Sequence, residues 1–301
     1  MDQSITYNLT KPSILLMNNV YLSWLQTIYL KVPKNVTMFT RRTFYDSNKH
    51  TSFPVAFLDS NIKQYNETTL LKQNHNNLIP NDAGCLNVQI MVPQHDSLQY
   101  FIQWQRYRKY WWSSITTTPS LFVVDEVNYE HDTTHANITA KFPWGQHKVE
   151  TITLSTKEAI NSVSTITCST SLEIALYIIL QDGLCNSTKE EYLRLHRNMA
   201  PFKIAFVLDY EDAVNKKRLC ELAKLIYSKL HKRNISSFLP NFTLTAKQQI
   251  MENLRLGVTY VAILCDSTLN NGIIQLLNSS TMLKEQVHLA DLESYASILC
   301  K

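Results

Sequence analysis

The sequence predicts an α+β protein of two domains, an antiparallel-sheet domain at residues 1–198 and a domain with a mixed, helix-flanked β-sheet at residues 199–301. Short strand-like runs separated by turns follow one another between Leu121 and Cys168, which is typical of an antiparallel sheet. Beyond Pro201, apolar strand-like runs alternate with helical patterns, which is typical of a sheet covered by helices. The Met199-Ala200-Pro201 segment between these two patterns marks the predicted domain boundary.

The first domain begins with a predicted buried helix at residues 13–31, whose apolar and aromatic side chains recur every three or four positions. Polar, Asn-rich residues 59–82 indicate an exposed loop. A helix from Leu172 has Ser169 or Ser171 as its cap and Gly183 as its end. Strands are predicted at 36–45, 53–58, 87–92, 121–127, 137–142, 147–154 and 164–168, with Pro143-Trp144-Gly145-Gln146 as a tight turn between two of them.

The second domain follows a charged helical connector predicted at residues 189–197. Its strands are predicted at 204–208, 235–239 and 258–264, and its helices at 211–231, 246–256 and 288–300. The apolar run after residue 272 is a further strand. Asn271-Gly272 is the strongest hairpin signal in the chain, because a type I′ turn needs positive φ at both central residues.

The composition excludes several classes of function. Five glycines in 301 residues are too widely spaced to cradle a phosphate, which excludes the Walker and dinucleotide-binding motifs. Six scattered cysteines without a C-x-x-C pair are typical of reduced core residues, so we expect no metal site and no cofactor. His131, Asp132 and His135 could ligate a metal, but a loop has no helical face to align them, and a solvated loop is preferred.

Two segments carry basic residues. Residues 96–115 interleave Arg106, Arg108 and Lys109 with seven aromatic side chains. This pattern indicates either a stacking surface for nucleic acid or, preferably, a core helix whose aromatic stripe points inward. Residues 201–301 hold 12 Lys or Arg against 9 Asp or Glu, clustered along the helix at 211–231.

Four stretches carry a resemblance to a known family. They are Trp104–Trp112 with its paired tryptophans, Phe142-Pro143-Trp144-Gly145 followed by Val149-Glu150-Thr151, the run from Ala200 to Ala205, and above all Ser267–Glu285. The chain resembles the accessory (processivity) subunits of mitochondrial DNA polymerase gamma, which are related to the class II aminoacyl-tRNA synthetases. The resemblance implies a class II synthetase-like domain followed by an anticodon-binding-like domain.

The sequence departs from an active synthetase at its phosphate-binding strand. The run Ile166–Ser171 into the following helix contains neither the glycine nor the arginine that the resemblance would require. Without those cations, nothing neutralises the charge of the phosphate transition state. We therefore expect no adenylation activity and no catalytic residue.

The resemblance implies a non-catalytic subunit that binds the polymerase catalytic subunit and primer-template DNA in the mitochondrion. The expected partner-binding residues are Leu269, Asn270, Asn271, Gly272, Leu277 and Met282. The expected DNA-binding residues are Lys216, Lys217, Arg218, Lys229, Lys232, Arg233, Arg106 and Arg108. For each cation, a solvated helix face remains an open alternative.

Dimeric members of the family have a helical insertion in the first domain. Residues 59–82 are too short and too polar to supply one, so we expect one accessory chain per polymerase and a monomer in isolation. Two alternative functions remain open, an active class II aminoacyl-tRNA synthetase and a stand-alone anticodon-binding-like module that binds RNA.

Overall fold

The computed structural model describes residues 5–32, 37–40, 53–61, 65–73, 84–156, 163–186 and 192–299. The chain divides into two compact units, Met1–Ile179 and Leu180–Lys301. Within the described ranges, no helix is long and apolar enough to cross a membrane.

The first unit is built on an antiparallel sheet. Its strands are β1 Ile5–Asn8, β2 Thr37–Thr40, β3 Val55–Asn61, β4 Leu70–Gln73, β5 Cys85–Pro93, β6 Phe122–Val124, β7 Asn128–Glu130, β8 Thr133–Phe142, β9 Gly145–Ser155 and β10 Val163–Ser171. The strand order is β2-β3-β5-β10-β9-β8-β6, with β7 also paired to β8. All these pairs are antiparallel except β2 with β3, which confirms the predicted sheet type.

The prediction of one loop over residues 59–82 is wrong for its described part. The end of β3 lies there, and β4 pairs antiparallel with β1 in a separate two-stranded sheet. Short strands with few apolar residues give no clear period-2 signal, so the pattern missed both β1 and β4. The other residues of the predicted loop, 62–64 and 74–82, lie outside the described ranges.

Three helices accompany the sheet, α1 Lys11–Lys31, α2 Ser97–Ser114 and α3 Leu172–Cys185. The first two confirm the predicted helices. The N–H of Ile174 donates to Oγ of Ser171 at 3.2 Å, so Ser171 caps α3 as expected. The helix continues through Gly183, however, and the predicted end at that glycine is wrong.

The start of β5 is tied to α3 through a buried carboxylate. Oε1 of Glu173 accepts hydrogen bonds from the Tyr65 hydroxyl at 2.6 Å and from the Gly84 N–H at 2.9 Å. A Cβ at Gly84 would lie 2.2 Å from the Tyr65 hydroxyl, so a larger residue would break this arrangement. Burial, followed by the bond to Glu173, raises the pKa of Tyr65 well above its ordinary value.

The second unit contains a five-stranded mixed sheet. Its elements are β11 Ile204–Asp209, α4 Ala213–Lys232, β12 Ser237–Phe238, α5 Ala246–Arg255, β13 Tyr260–Cys265, α6 Asp266–Asn271, β14 Ile273–Asn278, β15 Lys284–His288 and α7 Leu292–Leu299. The order is β12-β11-β13-β14-β15, parallel among the first three strands and antiparallel among the last three. This confirms the predicted mixed sheet flanked by helices.

The two faces of this sheet are covered by different helices. Phe206 and Leu264 lie in one apolar cluster with Leu230 of α4 and Ala296 of α7. Val207 and Val261 lie on the other face, where side chains of α5 pack. Since burial of each large apolar side chain contributes about 1.5–3 kcal/mol, these two layers stabilise the unit.

The short strand β12 leaves part of β11 without a strand partner. It pairs only with the first two residues of β11, so backbone groups of Phe206 and Leu208 lack a strand partner at that edge and bond to side chains of α5, while both apolar side chains lie in the cluster with α4. Oε1 of Gln249 accepts from the Leu208 N–H at 3.0 Å, and Nδ2 of Asn253 donates to the Phe206 carbonyl at 3.2 Å. Gln249 and Asn253 are both fully buried. Their side-chain amides satisfy backbone groups of β11 that would otherwise lack a hydrogen-bond partner.

Three further predictions for the second unit are wrong. Asn271-Gly272 does not form a hairpin turn, because α6 ends there and joins β13 to β14. Residues 284–288 form the edge strand β15, and the final helix starts only at Leu292. The described part of the predicted helical connector, 192–197, is not helical.

The division between the compact units falls inside α3, before the predicted domain boundary. The N–H of Leu193 donates to the Leu254 carbonyl, and that of Arg194 to the Gly183 carbonyl, both at 3.1 Å. These bonds tie the segment before Pro201 to the second unit. As a division between functional domains, the boundary after residue 198 stays a prediction.

Candidate protein-binding and nucleic-acid-binding surfaces

The corner between α6 and β14 contains three of the predicted partner-binding residues. Asn270 and Asn271 are exposed at the end of the helix. Gly272 follows with φ +69, the left-handed conformation that ends many helices, and its N–H donates to the Thr268 carbonyl at 3.0 Å. Oδ1 of Asn271 accepts from the Ile273 N–H at 2.9 Å, so local hydrogen bonds fix the corner.

The side chain of Thr268 fixes the same corner from inside. It is almost fully buried, its Oγ1 donates to the Ile273 carbonyl at 2.8 Å, and it accepts from the Cys265 N–H at 3.1 Å. The Cys265 thiol lies near Oγ of Ser267 at 3.1 Å. Burial raises the pKa of Cys265, but the hydrogen bonds from Ser267 and Thr268 outweigh it, so the pKa lies below its ordinary value.

Two predicted partner-binding residues do not present exposed side chains. Leu277 is 3% exposed and belongs to the apolar cluster under α5, so its prediction as a surface contact is wrong. Leu269 is half-buried against the larger cluster on the other face. Both are apolar residues that the core of the unit requires.

Met282, the sixth predicted residue, lies at the tip of the β14–β15 hairpin. It is 40% exposed and adopts φ +58, which is unfavourable for a residue with a side chain. The neighbouring Leu283, which the sequence did not single out, is 66% exposed. Such a pair of apolar side chains at an ordered tip is suited to insertion into a partner protein.

The tip is held by a network around one residue. Oδ1 of Asn278 accepts from the N–H groups of Ser280 and Thr281, at 2.9 and 3.3 Å. The Asn278 carbonyl accepts from the Met282 N–H at 2.8 Å, and its own N–H donates to the Leu283 carbonyl at 2.9 Å. A partner that contacts Met282 and Leu283 would therefore meet a preordered surface.

The helix α4 presents the basic surface. Leu219, Ala223, Ile226 and Leu230 form its buried face. The exposed cations on the rest of the helix and just beyond it are Lys217, Arg218, Lys224, Lys229, Lys232 and Arg233. Lys216 is half-buried, with Nζ 5.1 Å from the centroid of the Tyr210 ring.

The two ends of α4 differ in their acidic partners. Nζ of Lys229 and Nε of Arg233 each lie 3.6 Å from an oxygen of Glu293 on α7. No ion pair to a residue in the described ranges is found for Lys217, Arg218 or Lys232. Lys217, Arg218, Lys224 and Lys232 thus form no ion pair with a described residue, although Glu221 lies beside the first two.

Arg106 and Arg108 lie on different faces of α2. Arg106 is exposed, whereas Arg108 is fully buried, and its Nε donates to Oε1 of Glu150 at 2.6 Å. Its guanidinium also lies 4.3 Å from the centroid of the Trp111 ring. The prediction that Arg108 contacts DNA is therefore wrong, because no phosphate can reach it in the folded protein. The aromatic stripe of α2 is likewise mostly buried, which confirms the core-helix interpretation.

One cross-strand row on the sheet face opposite α2 carries uncharged polar side chains and a histidine. Cross-strand register aligns Thr167 with Gln89 and Thr153, and Thr153 with His135. Nδ1 of His135 lies 3.0 Å from Oγ1 of Thr153, which engages it within the sheet. This row contains no Lys or Arg to neutralise a phosphate, and Lys141 and Lys148 lie on the same face nearer the end of the β8–β9 hairpin. Among the described residues, no cluster of three potential metal ligands occurs.

Several curated proteins that are similar to this chain are subunits of a DNA polymerase. The chain is similar to DNA polymerase subunit gamma-2 of Mus musculus, with 24% identity over 237 residues that cover 68% of this chain and 50% of the relative. It is also similar to the mitochondrial DNA polymerase subunits gamma-2 of Drosophila melanogaster and Xenopus laevis. The identity to the Drosophila subunit is 23% over 236 residues, which cover 70% of this chain and 65% of the relative. The identity to the Xenopus subunit is 22% over 224 residues, which cover 64% of this chain and 48% of the relative.

The chain spans about half to two thirds of the length of these curated relatives. No protein-family model matches it.

Proposed function

We propose that this chain is a non-catalytic accessory subunit of mitochondrial DNA polymerase gamma, which binds the catalytic subunit and primer-template DNA and raises processivity. The similarity to the gamma-2 subunits over about two thirds of the chain carries this proposal. Two of these relatives are named mitochondrial, which supports the same compartment for this chain. We further propose that the two units correspond to a synthetase-like domain and an anticodon-binding-like domain.

The exposed residues of the second unit support two distinct roles. Asn270, Asn271, Met282 and Leu283 supply polar and apolar contacts for a protein partner. Lys217, Arg218 and Lys232 supply positive charge for duplex phosphates, and Arg106 adds one exposed cation in the first unit. Each phosphate neutralised adds a salt-dependent increment to affinity, which slows dissociation of the polymerase from its template.

A processivity assay with the polymerase gamma catalytic subunit tests the proposal. The chain should lengthen the products made in a single binding event. Leu283→Glu should reduce stimulation without destabilising the chain, because its side chain is exposed. Gly272→Glu should abolish stimulation and leave the fold largely intact. Tyr129→Glu, at an exposed aromatic residue of β7, is the matched control and should stimulate fully.

Absence of both association and stimulation would overturn the proposal, and full stimulation by Leu283→Glu would remove the hairpin tip from the interface. Exchange of pyrophosphate into ATP, which an active synthetase would catalyse, should not occur. Sedimentation of the isolated protein should give a monomer, and a dimer at micromolar concentration would contradict one copy per polymerase.

A further inference from the structure

The turn between β8 and β9 holds an exposed aromatic ring in a fixed orientation. Pro143 and Trp144 form this two-residue turn. The Trp144 ring stacks on Phe142, with centroids 5.0 Å apart and ring planes 9° from parallel. Trp144 is nevertheless 54% exposed, so one ring face is packed and the other is open.

A column of aromatic rings supports Trp144 from below. His147 meets Phe142 edge-on at 5.9 Å, and Tyr177 meets His147 edge-on at 6.0 Å. Phe142 is only 7% exposed. Since the column fixes the indole ring before anything binds to it, stacking on its open face costs little side-chain entropy.

Two lysines lie at this hairpin end. Lys141 and Lys148 are exposed and share one face of the β8–β9 pair, in register with Gln146 and Thr139, whereas Phe142 and His147 lie on the other face. Asp125 lies on the lysine face, where it accepts a hydrogen bond from Oγ1 of Thr139. Neither lysine forms an ion pair with a residue that the structure describes. Burial lowers the pKa of His147, so the imidazole is neutral at physiological pH and the two lysines supply the charge.

We propose that Trp144 is a stacking platform for an unpaired base of a nucleic acid strand, with Lys141 and Lys148 binding its backbone. Single-stranded nucleic acids are held by aromatic rings that stack on bases, together with cations that bind phosphates. The open face of the Trp144 ring and the two lysines across the strand pair from Phe142 provide both elements for a strand that passes around the hairpin end. This role is separate from duplex binding by α4, and it is tested with the isolated chain.

Intrinsic fluorescence isolates Trp144 from the other four tryptophans. Trp24, Trp104, Trp111 and Trp112 are each at most 1% exposed, so quenching by an added strand reports on Trp144. The probes are oligothymidylate and oligouridylate of about twenty nucleotides, long enough to cover a single-stranded site. Both should quench if only features common to the two strands are recognised, and quenching by one alone shows that the sugar or the thymine methyl group is recognised as well.

Matched variants make the inference falsifiable. Trp144→Ala should weaken binding of the effective probe by about 5- to 150-fold, measured by fluorescence anisotropy of a labelled strand. Trp144→Phe keeps a ring and should retain most of the affinity. Tyr129→Ala removes an exposed ring from another hairpin of the same unit and should change nothing. Lys141→Gln and Lys148→Gln should each lower the salt dependence of log K by about 0.7.

Equal binding by Trp144→Ala and the unmodified chain would overturn the inference, as would an equal loss in Tyr129→Ala. If Trp144→Ala instead weakened association with the polymerase catalytic subunit and left strand binding intact, the ring would be a protein contact and the inference would be wrong. Stimulation of the polymerase by the unmodified chain would survive either result, which separates this inference from the proposed function.

Discussion

Gly272 lies so close to His288 that no other residue fits without displacement. A Cβ at Gly272 would be 2.8 Å from Nε2 of His288, at the end of β15. The Gly272 carbonyl also accepts from the Leu289 N–H at 2.8 Å. The end of α6 is therefore joined to the end of the edge strand by both backbone and side-chain contact.

Gly272→Ala should lower the free energy of unfolding by about 1–3 kcal/mol, because the left-handed φ and the contact with His288 both penalise a Cβ. In a His288→Ala background, the loss of unfolding free energy caused by Gly272→Ala should fall to about 1 kcal/mol, which is the contribution of the backbone conformation alone. Urea denaturation of the four proteins of this double-mutant cycle measures the difference. Additive effects, within about 0.5 kcal/mol, would show that the two residues do not interact.

A second relationship concerns the interior of the first unit. Glu150 accepts from Nε of Arg108 at 2.6 Å and from the Trp112 indole N–H at 2.7 Å, and all three side chains are buried. Arg108→Met should destabilise the chain by about 3–5 kcal/mol, because it leaves a carboxylate buried without its counter-charge. Thermal unfolding followed by near-UV circular dichroism, which reports on the adjacent tryptophans, measures this loss.

The double variant Arg108→Met with Glu150→Leu is the control for the buried pair. It removes both charges and should recover much of the lost stability, since apolar replacement of an entire buried pair is often neutral. A double variant as unstable as Arg108→Met alone would mean that packing, rather than the unpaired charge, causes the loss.

Glu293 is predicted to restrain DNA binding by α4. It lies 3.6 Å from both Lys229 and Arg233, and these partly exposed pairs contribute little to stability. Glu293→Gln should therefore tighten duplex binding and steepen its salt dependence, while it changes the free energy of unfolding by less than about 1 kcal/mol. Titration of a labelled duplex at several salt concentrations measures both quantities.

Removing Lys217 or Arg218, which form no ion pair with a described residue, should instead reduce the salt dependence of duplex binding. Lys217→Gln and Arg218→Gln should each reduce the salt dependence of log K by about 0.9 if the residue contacts a phosphate of B-form DNA. Lys247→Gln, at an exposed lysine of α5 on the other face of the sheet, is the matched control. Unchanged slopes in the α4 variants, or the same reduction in the control, would remove the helix from the DNA-binding surface.

The sequence predicted those elements whose local signals agree. The helices α1, α2 and α4 have regular apolar spacing, and the turn at Pro143-Trp144 has residues that favour it. Strand β15 escaped prediction because only Val287 of its five residues is buried, so the edge strand lacks an apolar alternation.

Two predictions were wrong because identical local signals serve different structures. Asn-Gly is favoured both in hairpin turns and at helix ends, since each needs positive φ, and only the packing of α6 decides between them. Arg108 follows Trp104 by four positions and precedes Trp111 by three, which places it on the buried face of α2. That spacing could have identified its burial, whereas its partner Glu150, distant in sequence, could not have been predicted.

The cysteines provide a last prediction, on pH dependence. Hydrogen bonds from Ser267 and Thr268 set the pKa of Cys265 below its ordinary value, whereas burial, followed by Asp182, raises that of Cys185. As pH rises from neutrality, Cys265 should form thiolate first and be alkylated by iodoacetamide at a lower pH than the more exposed Cys185. Peptide mass spectrometry at each pH measures both sites. Thr268→Val should move the Cys265 profile to higher pH, and an earlier onset at Cys185 would contradict the assigned hydrogen bonds.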